Sequence, residues 1–328
     1  MRIRLEPSDE YTHELGPEPN FNESMYFNVF DPSCGLGGFF RLANRANEGR
    51  GEMTVCLYLP DGRVGFMFQR PEVTTNDAFD AAGLAFQVGE PFERLTVAYD
   101  GKVVLLEEPL EMADPRQAFT ENPYATCTVD LVYGRVSDMF GGEPEESHER
   151  PGEEFARGHY EQLVTATGTV HVGDEQWEIS GYGLRDHSWG PRYWQAPWYY
   201  RWLTANFGDD FGFMGSRVAR RDREGNRGGF VWDGDRLHLV EDLALRSTWT
   251  DEGSYHEAVD VRLSTADQTY EVTGRVLRLI PLRNRREGLV TRISEGLTEW
   301  TLADGRVGYG LSEYLDQIVD DRPVGIDE

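Results

Sequence analysis

The chain has 328 residues and a formal net charge of -26, from 58 acidic against 32 basic side chains. So acidic a surface repels nucleic-acid phosphate and anionic lipid, which excludes both as expected partners. A mean hydropathy of -0.55, with no apolar run near ~18 residues, excludes a helical membrane span. The opening Met1-Arg-Ile-Arg-Leu-Glu-Pro has no apolar stretch of secretory type, so the expected compartment is the cytosol. Lys102 is the sole lysine and the other 31 bases are arginine, a surface of the kind expected in a salt-rich cytosol.

In chain order, residues 1–20 are irregular, and Asn22, Glu23 and Ser24 then lead into an aromatic strand. Strand patterns follow at 38–45, 52–59, 63–69, 93–99, 102–106 and 126–137. They continue at 160–172, 176–189, 198–207, 211–219, 228–232 and 236–249, and finally at 255–264, 270–280, 289–302 and 306–315. Asp61-Gly62, Asp100-Gly101, Asp233-Gly234 and Asp304-Gly305 fall between such runs as hairpin signals. One short helix is predicted from Asp114, with Pro115 in its first turn. The fold class is therefore all-β, and about sixteen strands suit two barrels or sandwiches of comparable size. The acidic, Pro- and Gly-broken stretch 137–155 is the expected seam, a linker or lid between domains 1–155 and 156–328.

Residues 179–194 hold the densest chemistry. On an extended chain Arg185, His187 and Trp189 share one face above Gly181 and Gly183, and Asp186 and Ser188 share the other. Two bare glycines beside an imidazole and an indole suit a cavity wall, with Asp186 available to hold Arg185, Arg192 or backbone amides. An equally simple reading makes Asp186 and His187 a paired corner with Trp189 in the core. An aromatic cluster follows, in which Trp198, Tyr200 and Trp202 share a strand face and Trp194 lies just before them; such walls favour a flat apolar ligand. Asn22, Glu23 and Ser24 suggest a barrel-mouth site or turn chemistry, and turn chemistry is the simpler account. Glu313, on the last strand, is a candidate general acid if it points inward. Tyr26 and Tyr182 complete the candidate ligand wall.

Other signals fail. Gly35-Leu-Gly-Gly has no following helix pattern, there is no GxSxG or HExxH, and the three cysteines form no CxxC. His148, His159 and His171 lack ligand spacing, so neither metal nor cofactor is expected. The arginine runs 217–227 and 283–286 are expected to pair with neighbouring carboxylates.

Gly181-Tyr-Gly-Leu-Arg-Asp-His-Ser-Trp-Gly190, within an all-β chain of this length, resembles the AttH/hydroxyneurosporene synthase (carotenoid 1,2-hydratase) superfamily. The nearest likeness is to an uncharacterised branch with Asn-Glu-Ser-x-Tyr-Phe near the start. The resemblance implies two lipocalin-like, calycin-type antiparallel β-barrel domains packed together, with the Asp-His-x-Trp strand opening the second. It further implies protonation of an isoprenoid C=C and capture of water, His187 and Trp189 matching the family's site. The hydratases' Tyr-x-Asp has no counterpart at 210–216, so the acid is missing or its role falls to Asp186, Glu313 or Asp210. The expected function is thus a protein that holds a hydrophobic, isoprenoid- or lipid-like molecule and carries out its acid-assisted hydration, cyclisation or isomerisation. A non-catalytic carrier, or a ligand-free interaction protein, is the alternative.

Overall fold

A computed structural model of the chain describes residues 3–146, 150, 152–250, 252–286 and 288–327. His148 lies outside the described residues. The chain divides into two compact units, Met1–Glu108 with Arg116–Tyr193, and Pro109–Pro115 with Trp194–Glu328.

The first unit is built on strands β1 (Phe21–Asp31), β2 (Leu36–Arg45), β3 (Arg50–Tyr58), β4 (Val64–Gln69), β5 (Arg94–Leu106), β6 (Tyr124–Arg135), β7 (Gly158–Val172) and β8 (Glu175–Pro191). Each pairs antiparallel with the next, and β8 returns to β1 through pairs such as Arg185 with Phe27 and His187 with Met25, closing an eight-stranded ring. Closure removes the sheet edges, and alternation then sorts the side chains. On β6, Cys127, Val129, Leu131 and Tyr133 are buried while Thr126, Thr128 and Asp130 face outward. With Phe27, Phe40, Leu57 and Val97 these inward residues form one apolar core.

The second unit repeats the plan with β9 (Tyr199–Asn206), β10 (Gly212–Ala219), β11 (Glu224–Trp232), β12 (Leu237–Trp249), β13 (His256–Thr265), β14 (Thr269–Arg286), β15 (Leu289–Leu302) and β16 (Val307–Val319). Sequential pairing and a closing β9–β16 ladder give a second eight-stranded ring. Its core gathers Leu203, Phe213, Val231, Leu263, Trp300 and Tyr314.

Three expectations change. The boundary at 155/156 falls inside the first unit, because β7 and β8 carry the ladders that close its ring, so the Asp-His-x-Trp strand ends the first barrel instead of opening the second. Part of the acidic seam is ordered as strand Phe140–Pro144, paired with β7 and with Ile3–Arg4. Segments 93–99 and 102–106 are one strand, β5. Asp100-Gly101 makes no turn there because the Tyr99 ring folds over Gly101, where a Cβ would lie 2.4 Å from its hydroxyl, and that hydroxyl donates to the Lys102 carbonyl at 2.8 Å. The other three Asp-Gly pairs do sit between strands, and the predicted helix is Pro115–Glu121. No helix among the described residues is long and apolar enough to cross a membrane.

Candidate functional site

Three adjacent rows on the inner face of the first barrel, at one end, carry the charged residues. Trp189 lies between Glu23 and Gly158, His187 between Met25 and Tyr160, and Arg185 between Phe27 and Gln162. The shared face expected for Arg185, His187 and Trp189 follows from the two-residue period of β8, and all three are buried. Gly158 is required by its neighbour, since a Cβ there would lie 2.2 Å from the Trp189 ring.

The segment before β1 supplies the partners of this face. Glu10, at the end of the turn Pro7–Glu10, takes both Arg185 terminal nitrogens at 2.7 and 2.9 Å and the amide of Phe92 at 2.6 Å. Tyr160 Oη donates to the same carboxylate at 2.7 Å, and Arg185 Nε donates to Gln162 Oε1 at 2.9 Å. Gln162 in turn donates to the carbonyls of Phe92 and Ser137. A buried guanidinium is tolerable only when its donors are used in this way.

Glu23 is the second centre. Its Oε1 lies 2.6 Å from His13 Nδ1 and 2.9 Å from His187 Nε2. Its Oε2 accepts from Asn76 Nδ2 at 2.6 Å and from the His13 amide at 2.9 Å. Burial pushes the Glu23 carboxyl up, but hydrogen bonds from His13 and then His187, with their charges, outweigh it and hold the group at about 2. Burial likewise lowers His13, yet the hydrogen bond and charge of Glu23, followed by those of Asp9, raise it above the ordinary imidazole value. Asp9 Oδ1 stands 3.4 Å from His13 Nε2, so both ring nitrogens of His13 face carboxylates. The His13 ring stacks on Trp189 at 4.1 Å and 16°, and Phe79 meets His187 edge-on at 5.6 Å. Tyr160 Oη lies 3.4 Å from His187 Nδ1 and joins the two centres. Asp9, His13, Glu23, His187, Tyr160, Glu10 and Arg185 thus form one continuous polar chain.

Ligating atoms of His13, Glu23 and His187 lie within 4.8 Å of one another, as do those of His159, Glu161 and Asp186. These two sets, among the described residues, could hold a divalent ion. The hydrogen bonds above already engage both Glu23 oxygens and both His13 nitrogens, so the first set is complete as a proton network.

The other expected residues stand elsewhere. Asp186 points away from His187, with His159 Nε2 3.6 Å from its carboxylate, and the partner of Arg185 is Glu10. Gly181 and Gly183 leave no room for a ligand, because Cβ atoms there would meet the carbonyls of Phe30 and Asn28 at 2.4 and 1.9 Å; they permit close strand approach. Tyr26 and Tyr182 lie off the inner face, opposite Asp186 and Phe30 respectively, and Tyr26 stacks on Phe39. Trp194, Trp198, Tyr200, Trp202 and Glu313 belong to the second unit. There Tyr200 Oη donates to Glu313, on the strand faces opposite those of buried Arg201 and Tyr314. Arg221 covers the Trp198 ring. Sequence reasoning missed Glu10, His13, Tyr160, Gln162 and Asn76, and it read Glu23 as turn chemistry although Glu23 lies within β1. Its odd-numbered register with Met25, Phe27 and Val29 was the available signal.

The fold is of the AttH type. Solved structures that share it include a protein assigned as AttH from Nitrosomonas europaea, with TM-score 0.62 and 14% identity, covering 96% of this chain and 97% of that one. Kievitone hydratase from Nectria haematococca gives 0.54 and 9%, and CghA with Sch210972 gives 0.52 and 12%, each covering 90% of this chain and 88% of its own. Residues 6–318 match the model of a domain of unknown function, DUF7064, and the chain belongs to that family. No curated protein matches it in sequence.

Proposed function

We infer that the protein binds a hydrophobic small molecule and performs a proton-transfer step on it, a hydration, cyclisation or isomerisation, with His13 as the donor. The observation that carries this reading is the pair of imidazoles on one oxygen of a buried carboxylate, of which the outer, His13, keeps 19% of its side chain exposed. Its raised pKa favours the imidazolium form of His13, and Glu23, held ionised, orients and stabilises that charge. The Trp189 ring, stacked on His13 at 4.1 Å, adds its π face to the stabilisation of that charge.

The strength of the acid decides the substrate class. An isolated alkene needs a neutral carboxyl in a dry site, but Glu23 is ionised and Glu10 is clamped by Arg185. An imidazolium suits a double bond already polarised by a conjugated carbonyl, so such a compound fits better than an unactivated isoprenoid. The hydratase and CghA, which share the fold, support small-molecule chemistry as the class.

The test is organic extraction and mass spectrometry of wild-type protein and His13→Gln purified from the native cells in high salt. The wild type should carry product, one water heavier or shifted in retention at equal mass, and the variant should accumulate the precursor. One unchanged ligand on both proteins would make it a carrier, and loss of conversion on adding EDTA would replace the proton network with a cation.

A further inference from the structure

The two-residue period that turns Arg185, His187 and Trp189 inward turns the residues between them outward. On β7 the same rule puts His159 and Glu161 on the outer face. The register sets Glu161 directly opposite Asp186, and His159 opposite Ser188. Two carboxylates facing each other across a ladder repel. Glu161 is 1% exposed, so solvent and salt screen that repulsion poorly.

One imidazole meets both carboxylates. His159 Nε2 lies 3.6 Å from Glu161 Oε1 and 3.6 Å from Asp186 Oδ2. These contacts are too long for hydrogen bonds, yet they have the length of edges in a coordination shell. An ion with bonds of about 2.1 Å to nitrogen and oxygen spans such an edge at an angle of about 120°. The set around Glu23 is spaced differently. Its edges of 2.6 and 2.9 Å are hydrogen-bond lengths, and they would force angles of about 80–90° on the same ion, below the tetrahedral value.

The three outer ligand atoms lie within 4.8 Å of one another. His159 keeps 44% of its side chain exposed and Asp186 keeps 22%, so an ion can enter from solvent and Asp186 has room to turn toward it. Ser188 is already used, since its Oγ accepts from Arg192 Nη2 at 2.8 Å and lies 3.1 Å from Ser24 Oγ. Arg192 also donates to the Phe155 carbonyl, and it brings one positive charge against the two carboxylates.

We propose that His159, Glu161 and Asp186 bind a first-row divalent cation on the outer face of the first barrel, with water completing its shell. The imidazole nitrogen selects zinc over magnesium and calcium, which take oxygen ligands. The ion neutralises the facing carboxylates and ties β7 to β8. It lies on the face of β8 opposite His187, apart from the proton network around Glu23.

The test is calorimetric titration of the chelator-stripped full chain with zinc, in high salt and excess magnesium to occupy the acidic surface. A single equivalent of zinc should bind, and it should raise the thermal midpoint. His159→Gln and Asp186→Asn should each weaken binding about tenfold or more, while His13→Gln should leave it unchanged. Both altered ligands are solvent-accessible, and circular dichroism checks that the variants fold. Cobalt in place of zinc should give visible absorption that His159→Gln removes. Zinc bound equally well by His159→Gln would overturn the proposal. Binding lost in His13→Gln alone would do the same by placing the ion at Glu23. Zinc displaced by the magnesium would mean an adventitious ion only.

Discussion

The two barrels share a strand plan and differ in what fills them. In the first, polar heads enter one end of the interior and each is met by another part of the chain: Arg185 by Glu10, His187 and His13 by Glu23. In the second, one charged pair is closed in the same way. Arg201 takes both oxygens of Asp316 at 3.0 and 3.2 Å, and the segment after β16 adds the carbonyl and amide of Gly325. Beside it, His256 Nδ1 and Trp300 Nε1 have no hydrogen-bond partner among the described residues. A closed meander therefore does not dictate a finished interior. Irregular segments outside the strands supply the partners of the buried charges in both barrels.

Acid should separate the barrels most strongly. His256 is held at about 3 by burial first and then by Arg201, so its folded pKa lies far below the unfolded value of 6.5. The unfolded chain then binds more protons, and this contribution is complete above pH 6.5 and lost as pH falls toward 3, up to about 4–5 kcal/mol. Urea unfolding across that window should show the loss in the wild type and a flatter profile in His256→Gln. A profile equally steep in both proteins would mean that the ring is already charged when folded.

Removal of one buried partner comes next. Glu10→Ala leaves the Arg185 guanidinium without its carboxylate, and Asp316→Ala does the same to Arg201; each should cost about 3–5 kcal/mol in urea. Near-equal losses would make the charged pairs of the two barrels equivalent as structure. A much smaller loss for Glu10→Ala would show that Tyr160 and Gln162 hold Arg185 without it.

Glu23 adds a lower acid window. Its carboxyl is depressed from 4.5 to about 2, so its stabilisation is present above pH 4.5 and lost as pH falls toward 2, about 3 kcal/mol in all. Glu23→Gln should lack this slope while keeping the one that belongs to His256. That pair of variants assigns each window to its barrel.

Much of the fold was legible because its signals are local. Strict alternation in β6 and the Asp-Gly turns mark strands wherever one face is buried. Strand β5 was read as two because Asp100-Gly101 looks like a turn until Tyr99 is seen lying over it, and the aromatic strand expected after Ser24 starts earlier, at Phe21, as β1. The boundary between units was misplaced because linker-like composition at 137–155 says nothing about ring closure, which depends on β8 returning to β1 across most of the first unit. The site divides along the same line. Arg185, His187 and Trp189 could be read from period two, whereas Glu10 and His13 sit in an irregular segment and acquire a role only when it meets the barrel.

Tyr160→Phe is the smallest change and tests whether the polar chain acts as one network. The hydroxyl donates to Glu10 at 2.7 Å and lies 3.4 Å from His187 Nδ1, so deleting it removes one good hydrogen bond and one marginal contact. Stability should fall by about 1 kcal/mol, since Glu10 keeps Arg185 and the Phe92 amide. The informative readout is the titration of His13, followed by nitrogen NMR. If the Glu10–Arg185 centre communicates with Glu23 through Tyr160 and His187, the midpoint of His13 should move although His13 does not touch Tyr160. An unmoved midpoint with the same loss of stability would divide the chain at His187. The acid–base unit would then shrink to Asp9, His13, Glu23 and His187, with Glu10, Tyr160 and Arg185 left as the clamp that ties the N-terminal segment to the barrel.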